Sequence, residues 1–206
     1  MTYFIGIAGT HSTGKSTFLA TLKQRATERG ITVETIADTA TRCQSAGFKV
    51  LLDHTFESTL WILCSVIRAE LEAALRADLV LVDRPVPDAL GYLEAALEMT
   101  GRVISEKERA YLYELTKLHT PRYSLLFKTE LDTSIPLGEG RDTNFEFRAS
   151  AGNWISRTLE TLGVQALDPH DPSAAMAVDS ILSTIIESQG GNVVDNGRQA
   201  QPVRNT

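Results

Sequence analysis

The chain has 206 residues, 43% of them hydrophobic, which is enough for one domain with a sizeable core. A formal net charge of -6 argues against indiscriminate binding to nucleic acid or acidic membrane, because both need a surplus of Lys and Arg; a local basic cleft stays compatible with it. Cys43 and Cys64 lack metal-ligand spacing, so neither a disulfide framework nor a zinc site is expected, and the reading is a reducing, cytoplasmic compartment.

The apolar run 3–8 reads as a buried first strand with no basic segment before it, so no signal peptide is expected. The longest greasy stretch, 60–67, is too short to span a bilayer, and no membrane anchor is expected either. After the first strand comes "GIAGTHSTGKST", residues 6–17, and then an amphipathic helix with Phe18, Leu19, Leu22 and Ala26 on one face, stopped at Gly30. A second strand over 31–36 leads into a polar loop around Asp38 and Arg42. Residues 54–76 carry apolar side chains at three- and four-residue spacing and predict a long helix, with enough apolar surface to make a homodimer one expectation.

"LVLVDRP" reads as a fully buried strand with Asp83 at its carboxyl end. A helix over 88–98 follows, and another begins at Ser105, where Ser105 and Glu108 form a capping-box signature. Then come a strand over 123–129, a Gly-, Pro- and Asp-rich loop over 131–144, a helix over 146–162, a strand over 164–167 and a helix over 173–187. This alternation predicts a three-layer α/β/α fold with a five-stranded parallel sheet, which becomes a P-loop NTPase fold if the loop over 9–16 binds a triphosphate. The expected organisation is one domain over 1–188 with a lid at about 131–148, and a disordered tail over 189–206, where all periodicity is lost.

Gly9, Gly14, Lys15 and Ser16 satisfy GxxxxGK[ST] between a predicted strand and a predicted helix, the context the motif requires. In such a loop the backbone N–H groups of Gly9, Thr10, His11, Ser12, Thr13, Gly14, Lys15, Ser16 and Thr17 wrap a triphosphate. Lys15 reaches the outer phosphates, Ser16 can ligate magnesium, and ATP with Mg2+ is the expected cofactor pair. His11 can also touch a phosphate or simply face solvent. Asp83 and Arg84 stand where ligands collect in open α/β sheets. A carboxylate there can hold the metal or take a proton from an attacking hydroxyl, and the guanidinium can clamp a substrate. Asp88 is either a further cleft residue or a helix cap; Asp38 with Arg42 is either a base and substrate ligand or a helix-starting ion pair; Glu57 is a third candidate substrate contact. Arg141 and Arg148, in "GRDTNFEFR", would bring positive charge over the migrating phosphoryl group. Trp61 and Trp154 fall in helical patterns and read as core or pocket wall rather than as stacking platforms for nucleic acid.

With "GTHSTGKST", "DRPVPD" and "GRDTNFEFR", the chain resembles the P-loop kinase group of thymidylate kinase-like enzymes and nicotinamide riboside kinase-like AAA-type ATP-binding proteins over about residues 3–187. The resemblance implies Lys15 and Ser16 on triphosphate and magnesium, Asp83 on magnesium or the acceptor hydroxyl, Arg84 on the acceptor, Arg141 and Arg148 in the lid, and Asp38 as base. The "ERS" signature of deoxynucleoside kinases is missing, and Pro85 stands where thymidylate kinases carry an aromatic residue, so the substrate does not transfer. Similar small kinases of bacterial viruses phosphorylate hydroxymethyl groups on bases such as 5-hydroxymethyluracil within DNA. The expected function is ATP- and magnesium-dependent transfer of the γ-phosphoryl group to a hydroxyl or monophosphate of a nucleoside-like small molecule. The alternatives are that DNA-directed kinase and a nucleotide-hydrolysing switch or assembly ATPase. A guanine-specific switch is disfavoured because no NKxD-like motif appears.

Overall fold

A computed structural model describes residues 1–10, 13–131 and 144–195, with side chains to residue 189. Two apolar runs, β1 (Tyr3–Ala8) and β3 (Leu79–Asp83), lie side by side at the centre of a parallel sheet. Neither run alternates, because helices cover both faces of a parallel sheet. β2 (Val33–Ile36) flanks β3 and β4 (Leu125–Lys128) flanks β1, giving the order β2-β3-β1-β4. Ile7 is in register with Asp83 and Ala8 with Lys128, so the residues that follow β1, β3 and β4 emerge together at one edge.

Among the described residues the sheet has four strands where five were expected. The run at 164–167 makes one parallel bridge, Leu167 to Phe127, with the Leu167 N–H on the Leu126 carbonyl at 2.9 Å. Pairing cannot run on because Pro169 has no N–H to donate and holds Asp168 in a pre-proline conformation.

On one face, α1 (Lys15–Glu28) and α7 (Pro172–Asp195) close a core with Ile5, Ile7, Leu79, Leu81 and Phe127. On the other pack α2 (Thr39–Ser45), α3 (Phe56–Ala73), α4 (Val86–Thr100), α5 (Glu106–His119) and α6 (Phe145–Thr161). α4 is the central helix of that layer: every residue from Val86 to Leu97 is buried. It touches α6 so closely that a Cβ on Gly91 would lie 2.8 Å from both the N and Cα of Ile155. α5 starts with the expected capping box, Ser105 and Glu108 each accepting the other's backbone N–H.

The polar stretch after β2, expected as a loop, forms the two turns of α2. The last helix runs to Asp195, past the expected start of a disordered tail; residues 196–206 and most of the expected lid lie outside the described residues. Both cysteines are free, Cys43 buried and Cys64 exposed. Among the described residues no helix is long and apolar enough to cross a membrane.

Candidate active site at the strand ends

The glycine loop is held from three sides. Gly14, left-handed at φ 81°, caps the start of α1 and aims that helix's first N–H groups into the loop. Gly9 has φ 134°, and a Cβ there would lie 2.2 Å from the Thr129 hydroxyl oxygen and 3.0 Å from the Thr129 carbonyl, so only glycine fits beside the end of β4. Thr129 in turn bonds the Thr13 hydroxyl at 2.6 Å and donates to the Ala8 carbonyl at 3.2 Å. Lys15 is buried against this loop, its ammonium donating to the Thr10 carbonyl and lying 3.3 Å from the Thr13 hydroxyl. Ser16 and Thr17 are exposed on α1; His11 and Ser12 lie outside the described residues.

Beside the loop opens a cleft of about 350 Å³ whose lining includes Ser16, Lys23, Asp38, Thr39, Asp83 and Arg84. The Ser16 hydroxyl donates to Asp83 Oδ2 at 3.4 Å, while Asp83 Oδ1 is buried without a hydrogen-bond partner. Asp38 (φ 59°) and Arg84 (φ 68°), both on the cleft wall, are non-glycine residues in the left-handed region. Each such residue costs on the order of 1–3 kcal/mol and persists only where its surroundings hold it there. The Asp38 carboxylate makes no capping bond to α2. Arg42, one turn on, is exposed and donates to the Thr39 hydroxyl at 3.3 Å instead of pairing with Asp38. Glu57 is exposed on the first turn of α3 and is not part of the cleft lining.

Asp88 faces the loop rather than the cleft. Its Oδ2 accepts the Gly9 N–H at 3.2 Å, and Arg84 Nη1 donates to the Gly9 carbonyl at 3.1 Å, so both backbone groups of Gly9 are gripped by one turn of chain. Arg84 and Asp88 lie 3.7 Å apart, and Arg84 also donates to the Tyr92 hydroxyl at 2.8 Å. Burial pushes the Asp88 carboxyl up to about 7 against the opposing pull of Arg84, Lys15 and the Gly9 N–H. Arg148, expected in a lid, is buried on the first turn of α6, and a Cβ added at Gly152 of the same helix would lie 3.6 Å from the Thr10 methyl. It belongs to a packed helix. Arg141 lies outside the described residues. Trp154 donates to Glu98 at 2.8 Å and Trp61 packs on Phe48; both lie partly buried against the core, and neither is in the cleft lining.

Three residues here escaped the sequence reading. Thr129 directly follows the β4 run and could have been found as a strand-end residue. Tyr92 stands four residues after Asp88, on the same helix face. His54 gave no signal: it is buried against Tyr92, its Nδ1 lies 3.1 Å from the Leu51 carbonyl, and burial pulls its pKa down to about 4, so the ring is neutral.

A magnesium ion fits the residues present. Among the described residues no group of three or more His, Cys, Asp or Glu could enclose a metal. Magnesium beside a triphosphate does not need one, because phosphates and waters supply most of its ligands. The Ser16 hydroxyl and the unpartnered Asp83 Oδ1 are oxygen donors suited to the remainder.

A family model described as AAA domain matches residues 4–175. No curated protein matches the chain in sequence. Among solved structures, NadR protein in complex with NR superposes with a TM-score of 0.64 at 14% identity, covering 88% of this chain and 52% of that one. NadR in complex with NAD and AMP-PNP gives a TM-score of 0.59 at 13% identity, covering 100% and 52%. The chain thus spans about half the length of these proteins. Deoxyadenosine kinase from M. mycoides with bound dATP gives 0.52 at 12% identity, covering 91% and 99%. At these identities the likeness is one of fold.

Proposed function

The chain belongs to the AAA-domain family, and on that premise we propose that it is an ATP- and magnesium-dependent kinase that phosphorylates a hydroxyl of a nucleoside-like small molecule. The observation that carries the proposal is the convergence, across one cleft, of a lysine-bearing phosphate loop with two carboxylates, Asp38 and Asp83. Magnesium, when bound, would neutralise phosphate charge at Ser16 and Asp83. Lys15 steadies the outer phosphates. The acceptor oxygen forms its bond to the γ-phosphorus as the bond to the β-phosphate oxygen breaks, and ADP leaves. The hydroxyl proton goes to Asp38, whose carboxylate is not used in capping α2.

A hydroxyl suits this cleft better than a monophosphate. Among the described residues two carboxylates line it, and of the two cations there, Lys23 and Arg84, Arg84 already donates to Gly9 and Tyr92. A second dianion would meet repulsion there, whereas a neutral polyol offers the donors that Asp38 and Asp83 lack. The NadR and deoxyadenosine kinase structures, whose bound molecules are NR and dATP, support a nucleoside-type ligand on this fold. A base within DNA is the less favoured acceptor, given the net charge of -6.

The test is transfer of labelled γ-phosphate from ATP with magnesium to a panel of nucleosides, nicotinamide riboside, nucleoside monophosphates and hydroxymethylated DNA. Label on a free nucleoside supports the proposal. Label only on DNA, or only as inorganic phosphate, defeats it.

A further inference from the structure

At the start of α4 lies a second polar cluster that the proposed reaction does not use. Glu70, on α3, is fully buried, in the helix layer that holds Leu63, Val66 and Leu112. Burying a carboxylate is costly unless donors compensate it. Two do: the Tyr123 hydroxyl donates to Oε1 at 2.6 Å, and His119 Nε2 lies 2.5 Å from Oε2. Burial, and then the Glu70 charge, hold the Tyr123 pKa well above its ordinary value, so the phenol keeps the proton it donates.

The Tyr123 oxygen also accepts the Val86 N–H at 3.2 Å. Val86 is the first residue of α4, and that helix end needs an outside partner: its N-cap, Pro85, makes no side-chain cap, and Pro87 has no N–H. Tyr123 is therefore the cap of α4, reaching it from 37 residues away. Val86 N–H, Tyr123 O–H and Glu70 form hydrogen bonds running in one direction, an arrangement in which each bond polarises the next, and the carboxylate lies at the positive end of the helix. The turn so held is the one whose Asp88 and preceding Arg84 grip the N–H and carbonyl of Gly9.

We propose that Glu70 and Tyr123 are positioning residues for the phosphate loop: they fix the first turn of α4, and through Asp88 that turn fixes Gly9. The inference rests on the proposed function only for its consequence in catalysis. The contact itself can be read without any ligand.

The decisive readout is hydrogen exchange at the Gly9 and Val86 amides, measured by NMR on the full chain. Tyr123→Phe removes the hydroxyl and keeps the ring. The expected result is at least about tenfold faster exchange at both amides than in Leu112→Ala, which thins the same apolar layer without touching the hydrogen-bond chain; 1.4 kcal/mol corresponds to a factor of 10. Amides of β3 should exchange alike in the two variants at matched distance below their melting points. Where Tyr123→Phe does not fold, Glu70→Gln decides the matter, because it weakens the acceptor while keeping shape. In a Asp88→Asn background the Tyr123→Phe effect on Gly9 should shrink, as expected of residues acting through one turn. Gly9 exchange in the Tyr123 and Glu70 variants equal to that in Leu112→Ala overturns the proposal. Failure to transfer phosphate to any acceptor would instead refute the kinase reading and leave the exchange result standing.

Discussion

The contact between α4 and α6 gives the sharpest stability prediction. A Cβ added at Gly91 would lie 2.5 Å from Ile155 Cγ1 and 2.8 Å from both Ile155 N and Cα. Carbon atoms in ordinary contact stand about 3.5–4.0 Å apart, so α6 must retreat by at least roughly 0.7 Å. Two of the three clashing atoms are backbone, and no rotamer change relieves them. Overpacking of this kind costs about 1–3 kcal/mol, while replacing a mid-helix glycine by alanine returns roughly 0.5–1 kcal/mol. With both effects taken at mid-range, the net destabilisation of Gly91→Ala is about 1.3 kcal/mol, and at about 2–4 °C per kcal/mol for a chain of this size the melting temperature should fall by roughly 3–5 °C. Thermal unfolding followed by circular dichroism measures it. Adding Ile155→Ala should not restore the loss, because the backbone contacts persist. A melting temperature at or above that of the parent would refute the close approach. Since α6 also carries the buried Arg148 and faces the Thr10 methyl at Gly152, phosphate transfer should weaken in the same variant.

Other outcomes follow from the site. Lys15→Ala should abolish transfer, because the loop then lacks the ammonium lying against Thr10 and Thr13; undiminished turnover in a steady-state assay would remove the kinase reading. Asp83→Asn should retain ATP-analogue binding by calorimetry but lose at least about 100-fold in kcat, a common scale for electrostatic and general-base groups; retained kcat would shift its role elsewhere. Asp88, raised to about 7 from an unfolded value near 4, binds its proton more tightly in the folded state. Its contribution is complete below about pH 4 and is lost as pH rises through 7. Urea unfolding should therefore show the parent losing stability between pH 5 and 8 relative to Asp88→Asn, and identical pH slopes would contradict the burial.

Much of the layout could be read from the chain because its signals are local. β1 and β3 are unbroken apolar runs, and the glycine loop between β1 and α1 carries its own spacing, so the placing of Lys15, Ser16, Asp83 and Arg84 at one edge followed from strand ends alone. The misses share a cause: tertiary contact decided what local pattern could not. The 164–167 run looked like a strand, yet Pro169 leaves it one bridge. Thr39–Ser45 is mostly polar and became helical where Cys43 is buried against α3 and its thiol meets the Ser58 carbonyl at 3.7 Å. Helical register turned Asp88 toward Gly9 instead of the cleft. Arg148 is buried on α6, the helix that packs closely on α4 at Gly91. The Glu70 and Tyr123 pair spans 53 residues, and nothing in either neighbourhood announces the other.

The central claim is phosphoryl transfer to a hydroxyl, and a single-turnover experiment tests it most directly. Protein, magnesium and labelled ATP would be mixed with a nucleoside, with its own 5′-monophosphate, or with no acceptor, and the products resolved by 31P NMR and chromatography. The account predicts phosphorylated nucleoside and ADP in equal amounts, little product from the monophosphate, and none from Lys15→Ala. Inorganic phosphate released at the same rate in all three mixtures would contradict it and identify the protein as an ATPase.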